Sequence, residues 1–172
     1  MTRIETPWGP WEAAPLGEHG DVDVGLLRRD QLAARRLLDG WDVHAAVVPG
    51  VLRPWPAGET LPATAHDVWV RERPGGPWRF QLMLDEADGG DWVYRRDPRV
   101  RRPLAGLTAG EDGFRRLAPE VQLLYKAMGT RPKDAADVET VLPLLTGEQR
   151  RWLAGALATA HPSCPWRARL GR

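Results

Sequence analysis

The chain has almost no cysteine and no long apolar run. Cys164 is the single cysteine among 172 residues, so no disulfide can form within the chain, which is typical of a protein from a reducing compartment. No stretch reaches the roughly 20 apolar residues that cross a bilayer, and the first residues lack the pattern of a secretory signal. We therefore expect a cytoplasmic protein with no membrane-spanning segment.

The chain also lacks an excess of charge of either sign. Its 24 basic and 23 acidic residues leave a formal net charge of +1, which argues against a protein that coats nucleic acid. Lysine is scarce as well, because it occurs only at Lys126 and Lys133. With 42% hydrophobic and 27% charged residues, the composition is that of a globular protein.

Apolar and polar residues alternate along several segments of the first hundred residues, which predicts a sheet. The expected strands are residues 21–27, 41–48, 67–72, 78–85 and 92–95, and the expected helix is 31–38, with Asp30 as its N-cap. The segment 49–63 carries four prolines, so it predicts a long loop of the kind that forms a substrate wall or lid.

Helical signals replace strand signals after Arg102. The expected helices are 119–129, 133–142 and a third that follows a capping box at Thr146 and ends near residue 160. The predicted class is therefore α+β, with a mixed-sheet domain over residues 1–104 and a helical subdomain over 114–172.

An acidic motif, His-Gly-Asp-Val-Asp-Val, begins at residue 19. In a strand, Asp21 and Asp23 would point to one face, and Val22, Val24 and Leu26 would point to the core. Two neighbouring aspartates repel each other unless a cation lies between them, so the pair indicates half of a magnesium site. The alternative interpretation is a strand with one solvated face.

A phosphate-transfer site with two metals usually needs a third carboxylate from a neighbouring strand, which can also act as a base. Asp85 lies on the polar face of the predicted strand 78–85, with Gln81 on the same face four residues earlier. The alternative interpretation makes Asp85 a turn residue at the end of a strand.

Three cations are candidates for binding phosphate. Arg95 begins the densest basic stretch of the chain, and arginine binds phosphate through two hydrogen bonds. Lys126 lies on the first of the predicted C-terminal helices, and Lys133 begins the next with Asp134 and Asp137 close behind. Charges at the start of a helix also have a purely structural explanation, since acids are favourable there.

Taken in order, these motifs resemble the nucleotidyltransferases related to aminoglycoside 2″-adenylyltransferases. The resemblance extends from about residue 18 to 170 and rests on the runs 18–30, 81–85, 92–98, 117–126 and 131–137. It implies a polymerase-β-like nucleotidyltransferase core with a C-terminal helical bundle. It also implies Mg²⁺, with ATP or another nucleoside triphosphate as co-substrate, and transfer of AMP or another nucleotide to a hydroxyl of an aminoglycoside-like small molecule.

The resemblance assigns roles to individual residues. Asp21 and Asp23 match the metal-binding aspartates of the family, and the third-carboxylate position falls on Asp85 or on Gln81. The family holds the triphosphate at a glycine-rich turn that begins a helix, and the nearest match here is Gly9, which is followed by Pro10.

Two interpretations of this unusual start remain. Pro10 removes one amide donor, and too few residues precede Asp21 for the helix of the family. Either the true start of the protein lies upstream of Met1, or the turn that binds the triphosphate is degraded in this chain. The second case predicts a catalytically inactive protein of the same fold that acts in binding or regulation.

Overall fold

The computed structural model describes residues 22–48, 50–109, 115–129 and 131–171. It has mixed secondary structure, with a mostly antiparallel sheet and several helices, which confirms the α+β class. The chain divides into two compact units. The first comprises the described residues of 1–89 and 110–116, and the second those of 90–109 and 117–172.

Five strands of the first unit form one sheet in the order β3-β2-β4-β5-β1. They are β1 (Asp23–Leu27), β2 (Asp42–Val48), β3 (Val51–Pro54), β4 (Asp67–Arg71) and β5 (Phe80–Asp88). β1 runs parallel to β5, and the other pairs are antiparallel. A short 3₁₀ helix (Arg28–Asp30) and helix α1 (Gln31–Leu37) follow β1. Asp30 takes the N-cap position of α1 as predicted, although its side chain makes no capping hydrogen bond.

The core of the first unit lies on one face of this sheet. Val68 of β4 and Leu84 of β5 are fully buried, and Leu26 of β1 joins them. Val24 packs against the same cluster, as its place in the alternating pattern predicts. The prediction for Val22 is wrong, because this side chain is 40% exposed and precedes the first residue of β1.

The segment that follows β2 is not entirely the predicted loop. Gly50 has a φ of 77°, which permits a tight turn, and residues 51–54 then form the edge strand β3 against β2. Pro54 is tolerated there because an edge strand needs fewer backbone donors than a central one. The local proline content concealed this strand from the sequence analysis.

The rest of this segment is anchored to the core of the first unit. Trp55 is buried, and its indole nitrogen donates a hydrogen bond of 2.8 Å to the Glu59 carbonyl oxygen. The backbone amide of Leu61 donates to Oε1 of the buried Gln31, at 2.7 Å. These contacts tie the segment to helix α1.

The remaining strands are β6 (Asp91–Val93), β7 (Arg101–Pro103), β8 (Thr108–Ala109) and β9 (Arg116–Leu117). The C-terminal helices are α2 (Pro119–Lys126), α3 (Pro132–Val141), α4 (Gly147–Ala160) and α5 (Arg167–Leu170). The three predicted helices are confirmed, and so is the capping box, in which Thr146 and Gln149 exchange hydrogen bonds. The sequence analysis did not predict α5.

Aromatic packing explains why residues 90–104 group with the C-terminal helices, whereas the predicted domains divide after residue 104. The rings of Trp92 and Tyr94 lie 6.0 and 5.2 Å from the ring of Tyr125 on α2. Tyr94 also bonds His161 at 2.9 Å through its hydroxyl group. Local strand patterns do not reveal such contacts, because the partners are 30 or more residues away.

A buried ion pair lies inside the second unit. Glu120 is fully buried, and Nη1 of Arg102 lies 2.6 Å from its Oε1 atom. The guanidinium group also donates to the Gly106 carbonyl oxygen and lies 5.0 Å from the ring centroid of Trp152. The two groups are close enough for an ion pair. Among the residues that the structure describes, however, no N–H or O–H group is aligned for a hydrogen bond to either oxygen of the Glu120 carboxylate. Arg102 therefore compensates the buried charge.

We expect Arg102→Met to lower the free energy of unfolding by about 3–5 kcal/mol, because it leaves a buried carboxylate without its counter-charge. Arg101→Met, at the exposed neighbouring residue, is the matched control and should change stability by about 0.5 kcal/mol or less. Urea unfolding at neutral pH measures both values. Equal losses in the two variants would contradict the compensating role of Arg102.

Candidate functional site

Polar and aromatic side chains form one row across the face of the first unit's sheet that is opposite the core. In the strand register, Asp23 pairs with Gln81, Gln81 with Trp69, and Trp69 with His44. Paired residues point to the same face, and neighbouring strands are about 4.8 Å apart, so the row crosses the sheet from β1 to β2. We call these four residues the outer row.

Gln81 lies between two carboxylates of this face and bonds one of them. Its Nε2 atom donates a hydrogen bond of 2.9 Å to Oδ1 of Asp67 on β4, and Asp23 lies beside it on β1. Asp67 pairs with Met83, the next residue of β5 on this face. Two carboxylates from different strands therefore flank β5 on the same side of the sheet.

The structure does not bring Asp85 beside Asp23. Asp85 pairs with Leu27, four residues farther along β5 than Gln81, which corresponds to about 13 Å. Its side chain is buried, with 9% of the residue exposed. Gln81 occupies the register position next to Asp23. Asp21 and Gly9 lie outside the described residues.

The sequence analysis missed Asp67 as a site residue because it treated residues 67–72 only as a short strand. The signal was nevertheless present. In the sequence Asp-Val-Trp-Val-Arg, alternation puts Asp67, Trp69 and Arg71 on one face, while Val68 and Val70 are fully buried on the other. As a carboxylate at the start of a strand with a polar face, Asp67 was as good a candidate site residue as Asp85.

Asp42 is the centre of a cluster at the β2 end of the outer row. Its carboxylate accepts a hydrogen bond of 2.6 Å from Nε of Arg71 and one of 2.9 Å from Nε2 of His44. The Arg71 guanidinium lies 4.3 Å from the ring centroid of Trp78. Trp78 in turn lies 5.5 Å from His44 and 6.0 Å from Trp69.

Hydrogen bonding controls the charge of Asp42. Burial by itself raises the pKa of this carboxyl group, but the hydrogen bonds from Arg71 and His44 outweigh burial and hold the pKa below its ordinary value of 3.8. The carboxylate therefore stays charged and keeps Arg71 in place over Trp78.

Arg28 holds the segment that leads into Asp67. Its guanidinium donates to the carbonyl oxygens of Pro62 and Ala65, at 3.0 and 2.9 Å, and contacts Nδ1 of His66 at 3.3 Å. It also forms an ion pair with Glu86, and only 12% of its side chain is exposed. Backbone positions immediately before Asp67 are thereby fixed relative to the sheet.

The predicted phosphate-binding lysine has carboxylate partners inside the second unit. Lys126 pairs with Asp137 and lies 3.6 Å from Oδ1 of Asp134, whose carboxylate also accepts two hydrogen bonds from Arg131. Burial raises the pKa of Asp134, but the bond from Arg131 and the two cations bring it below 3.8. A Cβ atom at Gly129 would lie 2.7 Å from Oδ2 of Asp134, so a glycine makes room for this carboxylate.

Two further observations concern the predicted ligands. Arg95 is half-buried, with its guanidinium 5.6 Å from the ring centroid of Tyr125. Among residues 22–48, 50–109, 115–129 and 131–171, no group of three His, Cys, Asp or Glu side chains is placed to hold a metal ion. The predicted metal pair is outside this test, because Asp21 is not among these residues.

Comparison with known proteins identifies no relative of this chain. No family model matches it, and neither the curated proteins nor the solved structures give a match. In the part of the chain that the structure describes, no helix has the length and hydropathy of a membrane span.

We expect Arg28→Gln to lower the free energy of unfolding by about 1.5–3 kcal/mol, because several backbone and side-chain acceptors lose a charged donor. Arg29→Gln is the matched control, since Arg29 is exposed and donates one long bond of 3.3 Å to the Gly89 carbonyl oxygen. Its effect should be about 0.5 kcal/mol or less in the same urea titration. Indistinguishable midpoints for the two variants would refute the anchoring role of Arg28.

We also expect the cost of Asp42→Asn to depend on pH. The folded-state pKa of Asp42 is depressed, so its carboxylate stabilises the fold above the unfolded pKa of about 3.9, and this contribution disappears as the pH falls through the folded pKa. The stability difference between wild type and variant should be largest near pH 7 and shrink below about pH 4. Urea unfolding across this range measures it, with Asp39→Asn at an exposed position as control. A difference that does not change with pH would count against the charged role of Asp42.

Proposed function

We propose that this chain is a magnesium-dependent nucleotidyltransferase with a polymerase-β-like core, related to the aminoglycoside 2″-adenylyltransferases. It transfers AMP or another nucleotide from a nucleoside triphosphate to a hydroxyl of a small molecule. The observation that carries the proposal is the arrangement of Asp23, Gln81 and Asp67, which puts two carboxylates from different strands on one face of the sheet.

The donor set suits Mg²⁺. This ion takes oxygen ligands and is usually held by one or two carboxylates together with substrate phosphates and water. Asp23 and Asp67 would supply carboxylates from the two strands that flank β5, and the role of Asp21 as a further ligand remains a prediction. Gln81 would orient the Asp67 carboxylate through its hydrogen bond, as groups around a metal ligand commonly do. When bound, the ion neutralises phosphate charge during transfer.

The reaction that we propose balances as a simple displacement. The acceptor hydroxyl oxygen forms a bond to the α-phosphorus, the bond from that phosphorus to its bridging oxygen breaks, and pyrophosphate leaves. The hydroxyl proton passes to a carboxylate. We give this role to Asp67 rather than to Asp85. Asp67 is hydrogen-bonded to Gln81, which pairs with Asp23, whereas Asp85 is four residues beyond Gln81 along β5.

The roles of Lys126 and Arg95 in phosphate binding remain predictions. Lys126 already has Asp134 and Asp137 as ion partners, so a phosphate there would compete with two carboxylates.

Gln81 favours a second candidate function. An amide is a poor metal ligand and cannot act as a base, yet it occupies the register position beside Asp23. The second candidate is therefore a non-catalytic protein with the same fold that binds nucleotides or a partner.

Calorimetric titration of the full chain with each common nucleoside triphosphate, with and without Mg²⁺, tests the proposal. We expect magnesium-dependent binding that Asp23→Asn and Asp67→Asn each weaken roughly tenfold or more, since each removes a carboxylate from the site. Asp85→Asn should bind like wild type, and so should the exposed control Asp39→Asn. Absence of magnesium-dependent binding for every nucleotide would overturn the proposal.

Transfer of a labelled nucleotide to amino-sugar acceptors separates the two candidates. Labelled product that disappears in Asp67→Asn supports the enzyme. Tight nucleotide binding without any transfer would support the non-catalytic alternative.

A further inference from the structure

We infer that Trp69 is the base-stacking residue of the nucleotide site. The base of the nucleoside triphosphate would pack on its indole ring, while the phosphates lie near Asp23 and Asp67. This inference rests on the proposed function and adds to it the part of the substrate that the outer row recognises.

Trp69 points away from the core. Its neighbours Val68 and Val70 are fully buried, so alternation directs the indole to the opposite face of β4, where it is half-buried. The ring therefore offers apolar surface at a place where polar residues are the norm.

Contacts around Trp69 hold its ring in place before any ligand binds. The ring of Trp78 packs against the ring of Trp69, with a distance of 6.0 Å between their centroids and an interplanar angle of 58°. Trp78 is itself covered by the Arg71 guanidinium, which Asp42 fixes. A side chain that is already positioned loses little conformational entropy on binding, which favours a role in recognition.

The position of Trp69 relative to the carboxylates matches one elongated substrate. Trp69 pairs with Gln81, which adjoins Asp23 and bonds Asp67. Asp67 is also two residues before Trp69 on the same face of β4, about 7 Å along the strand. A nucleoside triphosphate with its phosphates at the carboxylates would therefore extend through its ribose and bring its base over the indole.

The charges of the surrounding cluster favour a neutral ring over a phosphate or an ammonium group. Asp42 and Arg71 neutralise each other at 2.6 Å, and the remaining members are His44, Trp69 and Trp78. A nucleobase is flat and uncharged, and every base has a π face that stacks on an aromatic side chain. This combination of ring and carboxylates is the reason for choosing the base as the occupant.

Magnesium-dependent binding of ATP and of inorganic tripolyphosphate, measured by calorimetry on the full chain, tests the inference. Trp69→Leu keeps apolar bulk but removes the aromatic face, so we expect ATP affinity to fall about five- to hundredfold. Tripolyphosphate has no base, and its affinity should not change. Trp69→Phe should recover most of the ATP affinity.

Trp41→Phe and Trp41→Leu are the matched controls, because Trp41 is half-buried in the same unit but packs on the core side against Phe80. Circular dichroism checks that each variant folds.

Equal ATP affinity in wild type and Trp69→Leu would overturn the inference while leaving the proposed function intact. A loss confined to acceptor binding in transfer assays would also overturn it. If wild type binds neither tripolyphosphate nor any of the common nucleoside triphosphates, the proposed function itself fails.

Discussion

The parallel pairing of β1 with β5 is the constraint on which the candidate site depends. This register puts Val24 and Leu26 beside Leu82 and Leu84 in the core. Because side chains alternate along a strand, the same register necessarily places Asp23 beside Gln81 on the opposite face. A slip of one residue would exchange the faces and bury the carboxylate, so core packing also maintains the site.

Ion pairs stabilise each of the two units. In the first unit, Arg28 anchors the segment that precedes Asp67, and Asp42 holds the Arg71 guanidinium over the ring of Trp78. In the second unit, Arg102 compensates the buried Glu120, and Lys126 lies against carboxylates of α3. Lys126, which the sequence pattern indicates as a phosphate ligand, thus has structural partners, and the functional proposal rests instead on carboxylates and aromatic rings. Buried charges without partners would be far more costly than these pairs.

The outer row and the neighbouring Asp67 bring carboxylates and an aromatic ring together in one functional hypothesis. In this hypothesis, Asp23 and Asp67 would supply the oxygen ligands that a magnesium nucleotide needs, and Trp69 would supply a surface for its base. Gln81 lies between them and bonds Asp67, so an amide that is a poor base can still serve as the residue that orients a carboxylate. The same residue that argues for an inactive protein at the level of sequence therefore has a positive role in the proposed enzyme.

Local sequence patterns were sufficient for the faces of β2, β4 and β5 and for the capping box at Thr146, because these depend on the spacing of neighbouring residues. They were insufficient for β3, where prolines concealed an edge strand, and for the choice among Asp85, Gln81 and Asp67. That choice depends on which strands adjoin and in what register. Register is determined by packing between segments that are distant in sequence, such as those of Asp23 and Gln81, so the period of a single strand identifies a face but not its neighbours.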